Sequence, residues 1–160
     1  MATVSTADLC DRHGDAVEVL DARLSDYGGV PAFAGTVATL RVREDNALVR
    51  ATLETRGDGR VLVIDGGGSQ RTALVGGNLA VLAAANGWAG IIVWGAVRDV
   101  NELRRCPVGI RALGACPRKS AKHGAGEREV PVGFGGLTIA PGNWLAADAD
   151  GIVVAASPLG

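Results

Sequence analysis

The period of the apolar positions changes along the chain, and the changes divide it into elements. Residues 33–42 carry Val37, Leu40 and Val42 in a segment that reads as a strand. Residues 46–54 place Leu48, Val49 and Leu53 on one stripe, which suits a helix with a single buried face. Gly57-Asp58-Gly59 then turns the chain. Residues 61–64 and 90–94 are continuous apolar runs of strand length, the pattern of strands covered on both faces. Between them, residues 76–86 read as a helix with Gly87 as its C-terminal cap. Residues 99–105 form a short helix that Pro107 ends. At the N-terminus, Thr6 is placed to cap a helix running to Asp11.

The last third reads as β-rich. Residues 110–115 are apolar, and 117–129 are polar, basic and glycine-bearing, as in a surface loop. Segments 130–132 and 137–139 bracket Gly133, Gly135 and Gly136 and predict two strands about a tight turn. Segments 144–148 and 151–154 predict a closing hairpin around Asp148-Ala149-Asp150-Gly151. No repeat or linker interrupts the pattern, so a single α/β domain is expected over residues 1–160.

Composition narrows the function classes. With 48% hydrophobic and 21% charged residues, the chain is globular rather than disordered. A formal charge of −1 gives no basic surplus, so direct nucleic-acid binding is not expected. Three cysteines, Cys10, Cys106 and Cys116, at irregular spacing predict reduced thiols in a cytoplasmic protein rather than a disulfide framework. Residues 1–8 have neither the basic region nor the apolar core of a signal peptide. The apolar stretch 75–94 is broken by Gly76, Gly77, Asn78, Asn86, Gly87 and Gly90, which makes it two buried elements and not a membrane span.

The candidate chemistry is concentrated in the middle. Gly76-Gly77-Asn78-Leu79 opens a helix, and Arg98-Asp99 follows the second apolar run. Taken alone, the first is a plain helix N-terminus or an anion site made of free N–H groups. Taken alone, the second is a helix start with a favourable carboxylate or a cation–carboxylate pair for a substrate and a metal. The run Asp65-Gly66-Gly67-Gly68-Ser69 has neither the spaced glycines of a dinucleotide fingerprint nor the Gly-Lys-Ser/Thr of a P-loop, and is expected to shape a pocket floor with Arg71 nearby. His13 and His123 lie in unrelated contexts, which disfavours a histidine metal site. Arg118, Lys119, Lys122 and Arg128 form a local basic cluster that reads first as a solvated loop, with contact to RNA or to an acidic partner as the alternative.

Several of these pieces together resemble one family. Tyr27-Gly28-Gly29, Phe33-Ala34-Gly35, Glu44-Asp45-Asn46, the 63–69 loop, 73–78, Asn86-Gly87-Trp88-Ala89-Gly90, 95–99, Pro117-Arg118-Lys119-Ser120, Gly126-Glu127 and 148–152 run in order over nearly the whole chain. They resemble the RraA-like family, which holds the regulators of ribonuclease E activity and the metal-dependent 4-hydroxy-4-methyl-2-oxoglutarate aldolases, and which was once mislabelled as a menaquinone methyltransferase.

The resemblance implies a swivelling β/β/α sandwich, a homotrimer with sites near subunit boundaries, and a divalent cation, magnesium or manganese. It implies that Asp99 binds the metal and that Arg98, with the backbone of Gly76, Gly77, Asn78 and Leu79, holds a small 2-oxoacid. Aldol cleavage to pyruvate and decarboxylation of oxaloacetate would share one electron sink. The absence of a lysine near the loop argues against a Schiff base; a metal-bound water is expected to carry the proton, with Glu44 of a neighbouring subunit as another candidate. The alternative is a non-catalytic protein that binds and restrains a ribonuclease. Methyl transfer is disfavoured, because no fingerprint for its cofactor is present. The chain departs from the aldolase pattern at Gly77, where many members carry aspartate. A lost outer carboxylate of that kind costs roughly 10–100-fold in metal affinity or activity, so Gly77→Asp is expected to raise them.

Overall fold

The computed structural model describes residues 4–159, which excludes Met1–Thr3 of the stretch read for a signal peptide and the C-terminal Gly160. Ten of its strands form one sheet. At its centre β3 (Phe33–Arg41), β4 (Val61–Asp65), β6 (Gly90–Val97) and β7 (Gly109–Ala115) run parallel. The sheet continues from β3 through antiparallel β11 (Trp144–Asp148) and β12 (Gly151–Ala155) to β1 (Val17–Val19). Its other end is β2 (Ser25–Asp26), antiparallel to β7. Two short strands join off this path: β5 (Ala73–Val75) beside β6, and β8 (Glu127–Arg128) beside β3. A separate hairpin, β9 (Val132–Phe134) and β10 (Leu137–Ile139), lies against one face.

The continuous apolar runs are explained by alternation between two covered faces. Leu62 and Ile64 of β4 join Val49 and Leu53 of α2 (Ala47–Leu53), Ala80 and Ala83 of α3 (Gly77–Ala85) and Leu103 of α4 (Val100–Leu103) in one core. Val61 and Val63 face the opposite way and pack with Val132, Phe134, Leu137 and Ile139 of the hairpin. Trp94 and Phe134 stack across this second layer, ring centroids 4.8 Å apart. A third cluster seats α1 (Thr6–His13) through Leu9 on Val17, Ala146 and Val153. Helices on one face and a β layer on the other give the sandwich that the resemblance implies. No helix among the described residues is long and apolar enough to cross a membrane.

Four expectations shift. The cap of α1 is Ser5, whose hydroxyl accepts from Asp8 N, because Thr6 is engaged elsewhere: its N–H and hydroxyl both donate to Asp148, at 2.7 and 2.6 Å. The turn of the β9–β10 hairpin is Gly135-Gly136, both with positive φ as a primed two-residue turn requires, and the first strand starts at Val132 because Pro131 cannot donate to a ladder. The fourth helix begins at Val100, since Asp99 is left-handed at φ 61°. The short strands β1, β2, β5 and β8 carry too little periodicity to be read from sequence.

Candidate functional site

The position of β5 builds the site. The first half of β6 pairs with β4; the ladder then shifts register, and its last residues pair with β5. The C-terminal ends of two neighbouring parallel strands are thereby aligned, where ligands bind in open α/β sheets. β5 runs through Gly76 into α3, while β6 runs out onto Arg98 and Asp99, and Arg98 N–H donates to Val75 O at 2.9 Å. All six sequence-derived candidates, Gly76, Gly77, Asn78, Leu79, Arg98 and Asp99, line one cleft of about 290 Å³.

Asp99 holds this geometry by crossing to the other element. Its Oδ2 accepts the N–H of Gly77 at 2.8 Å, so it caps α3 rather than its own helix. This corrects one expectation: the Gly77 N–H is occupied by the protein's own carboxylate. The amides of Asn78 and Leu79, in the first turn of α3 and lacking intrahelical acceptors, remain as anion donors. Gly76 is required by close approach. A Cβ there would lie 2.9 Å from Asp99 Oδ2 and 3.3 Å from Arg98 Cγ.

Glu102 is the residue that sequence reasoning missed. It stands three positions after Asp99 at the start of α4, and its N–H bonds Asp99 O at 2.9 Å. Its Oε2 fills the space a Cβ at Gly77 would enter. A carboxylate therefore already lies beside Gly77, supplied from α4, and an aspartate at 77 would displace it rather than fill a gap. The i, i+3 spacing of Asp99 and Glu102 was the available signal.

The opposite wall is cationic. Arg50 of α2, Lys119 and Lys122 line the cleft with Asn46, together with Arg98 and against the single lining carboxylate of Asp99. Arg50 makes an exposed pair with Glu54 at 3.5 Å. Lys122 Nζ donates to Asn46 Oδ1 at 2.9 Å, while Asn46 Nδ2 donates to Leu74 O at 3.2 Å. Lysines therefore do stand at the site, which corrects the expectation that none is near. Both are exposed, unlike the desolvated lysine of a Schiff-base enzyme. The basic loop is partly a cleft wall and not only a solvated surface.

The Asp65–Ser69 run and Arg71 do not line the cleft. The run folds on itself, Gly67 N–H donating to Asp65 Oδ1 at 2.9 Å, and Ser69 Oγ donates to Glu44 Oε2 at 3.3 Å. Within its own chain Glu44 faces that run. A larger open groove of about 700 Å³ lies elsewhere, along residues 19–25, Arg111 and 149–152. There Arg23 and Arg111 are matched by Asp21 and Asp150, so it lacks the charge bias of the smaller cleft.

The donor set can be tested against a metal. Among the described residues no three His, Cys, Asp or Glu side chains converge, which does not suit tetrahedral zinc. Asp99 lines the cleft and the Glu102 carboxylate lies next to it against Gly77, which offers one carboxylate and a second nearby. That fits magnesium or manganese, which keep several waters and need only one or two carboxylates from the protein.

Comparison with known proteins shows the family. The family model described as RraA-like, Aldolase/RraA, matches residues 6–154. A protein of Burkholderia multivorans, provisionally named a 4-hydroxy-4-methyl-2-oxoglutarate aldolase, is 59% identical over 98% of this chain and 99% of its own. The RNA-processing inhibitor RraA of Thermus thermophilus is 51% identical, superposes with a TM-score of 0.96, and is matched over 99% of this chain and 96% of its own. A Geobacillus kaustophilus structure named as an S-adenosylmethionine:2-dimethylmenaquinone methyltransferase is 48% identical with the same TM-score, covering 98% and 97% of the two chains. From its sequence, its fold and these matches, the chain belongs to the RraA-like family.

Proposed function

We propose that the protein is a divalent-metal-dependent aldolase that cleaves 4-hydroxy-4-methyl-2-oxoglutarate to two molecules of pyruvate and decarboxylates oxaloacetate. The observation that carries this reading is the convergence of a guanidinium, the Asp99 carboxylate and two free helix amides in one cleft at the ends of β5 and β6, with the Glu102 carboxylate against Gly77 at its edge. The amides of Asn78 and Leu79 take the substrate's 1-carboxylate. Arg98 presents two N–H groups to the oxygens of the 2-oxoacid end and stabilises charge that develops there as the C3–C4 bond breaks. Bound at Asp99 and Glu102, magnesium or manganese would supply the Lewis acidity that makes the pyruvate enolate an accessible leaving carbanion. Lys122, Lys119 and Arg50 face the distal carboxylate and raise the local concentration of a dianion. In aldol cleavage the 4-hydroxyl gives up its proton as C4 becomes a carbonyl, and in decarboxylation the C4 carboxylate leaves as carbon dioxide; in both, the electron pair of the broken carbon–carbon bond enters the same enolate, and protonation at C3 releases pyruvate.

The assembly proposed is a homotrimer in the cytoplasm, consistent with an α3 that has no charged residue and exposes Val81 and with free cysteines. The test is a lactate-dehydrogenase-coupled measurement of pyruvate release from both substrates, with magnesium, with manganese and with a chelator. Metal-dependent release from either substrate supports the reading; none from either refutes it. A second reading, restraint of a ribonuclease E-type enzyme through protein contact, draws on 51% identity to the Thermus inhibitor. It predicts slowed RNA cleavage by such an enzyme in the presence of this protein, unaffected by Asp99→Ala.

A further inference from the structure

Asp45 does not line the cleft, yet it is the most completely enclosed carboxylate near it, 3% exposed and without a cationic partner among the described residues. Its charge is met by backbone amides. Oδ2 accepts His123 N–H at 2.8 Å, and Oδ1 accepts Gly124 N–H at 3.2 Å and Ala47 N–H at 3.1 Å. The chain around it is clamped the same way: Asn46 N–H bonds Ala121 O at 3.0 Å and Ala121 N–H bonds Glu44 O at 2.9 Å. Residues 121–129 are all exposed, so little apolar packing fixes this part of the loop. Lys122 stands between these clamps, and its ammonium reaches Asn46 Oδ1 at the cleft.

We propose that Asp45 is a positioning residue: its carboxylate, buried behind the cleft, fixes the 121–124 segment so that Lys122 presents its charge to the substrate. The assignment of Lys122 to the distal carboxylate rests on the aldolase reading; the fixing of the loop does not. An ionised carboxylate accepts N–H groups on both oxygens and carries no donor of its own. Asparagine has the same shape but turns an NH2 toward either His123 N–H or the pair from Ala47 and Gly124, leaving a donor facing a donor. Burial alone would push the Asp45 carboxyl up, but the amides of Ala47, His123, Gly124 and Ala125 outweigh it and hold the group below its ordinary value.

The test compares wild type with Asp45→Asn, Lys122→Ala and the double variant, using two readouts. Amide hydrogen exchange at residues 121–124 and modification of Lys122 by trinitrobenzenesulfonate require no catalysis. Asp45→Asn is expected to speed exchange at His123 and Gly124 by about 10-fold or more and to change the Lys122 modification rate. Pyruvate release forms a double-mutant cycle: Asp45→Asn lowers kcat/KM by about 10-fold in the wild type, mainly through KM, and adds nothing in the Lys122→Ala background. Unchanged exchange in Asp45→Asn, or an equal further loss in the Lys122→Ala background, overturns the proposal. If wild type itself releases no pyruvate, the aldolase reading fails, and exchange and modification still decide whether Asp45 holds the loop.

Discussion

Replacing Gly76 with alanine tests the site with one methyl group. Gly76 has φ −128° and ψ −170°, a conformation open to any residue, so the substitution brings no backbone strain and gains about 0.4–1 kcal/mol by restricting the unfolded chain. The added Cβ lies 2.9 Å from Asp99 Oδ2 and 3.4 Å from Arg98 Nε. Relief requires the carboxylate to move by roughly half an ångström, since carbon contacts favour about 3.5–4.0 Å. That movement stretches the 2.8 Å bond from Gly77 N–H, and a hydrogen bond to a charged group is worth about 1.5–3 kcal/mol. The net effect is destabilisation of about 1–2 kcal/mol, read from urea unfolding. Catalysis suffers more, because Arg98 and Asp99 are displaced together: kcat/KM for pyruvate release should fall about 10–100-fold. In an Asp99→Ala background the same methyl group should cost no further stability. Wild-type kcat/KM in Gly76→Ala, or an undiminished stability loss in the Asp99→Ala background, would refute the claim that Gly76 exists to admit the Arg98-Asp99 side chains.

Other consequences follow from the same contacts. Asp99→Ala should abolish metal-dependent pyruvate formation and also weaken the fold by about 0.5–2 kcal/mol, since it uncaps α3; circular dichroism in urea separates the two effects, and an unchanged midpoint contradicts the capping role. Gly77→Asp should raise KM for dianionic substrates rather than improve metal affinity, whereas Gly77→Asp with Glu102→Ala, which moves the carboxylate from α4 to α3, should recover part of the loss. Tighter magnesium binding by Gly77→Asp alone would show that Glu102 does not fill that role. Arg98→Lys should raise KM for oxaloacetate about 10-fold or more while leaving the urea midpoint unchanged, because a point charge replaces a planar fork. The carboxyls of Asp45 and Asp148 both sit below their ordinary 3.8: burial pushes each up, but amide donors, and for Asp148 also the Thr6 hydroxyl, outweigh it. With folded pKa values depressed, their stabilisation is complete above about pH 4 and is lost as pH falls through the folded values. Urea midpoints at pH 6, 4 and 3 should show the loss below 4, reduced in Asp45→Asn and Asp148→Asn; an identical decline in both variants would remove these groups as its cause.

The central strands, the helices and the two segments that end at the cleft are legible in the chain's own order of apolar, glycine and charged positions. Val61 to Ile64 had to be covered on both faces, because a continuous apolar run leaves no polar side for water, and Gly76 to Leu79 and Arg98-Asp99 had to fall at the ends of adjacent elements. Local signals sufficed there because each constraint lies within a few residues. Tertiary structure alone decided which groups meet. That Asp99 caps α3 follows from β5 pairing with the far end of β6, an event set by a register shift and by three residues too short to show a period. That Glu102 occupies the space beside Gly77, and that Lys119 and Lys122 form a wall of the cleft, depends on α4 and the 117–126 loop folding back over distances that no sequence period encodes. Asp45 shows the reason most plainly: its partners are the backbone amides of residues 123 and 124. A backbone amide is the same in every residue but proline, so its partner leaves no trace in the sequence until the chain is folded.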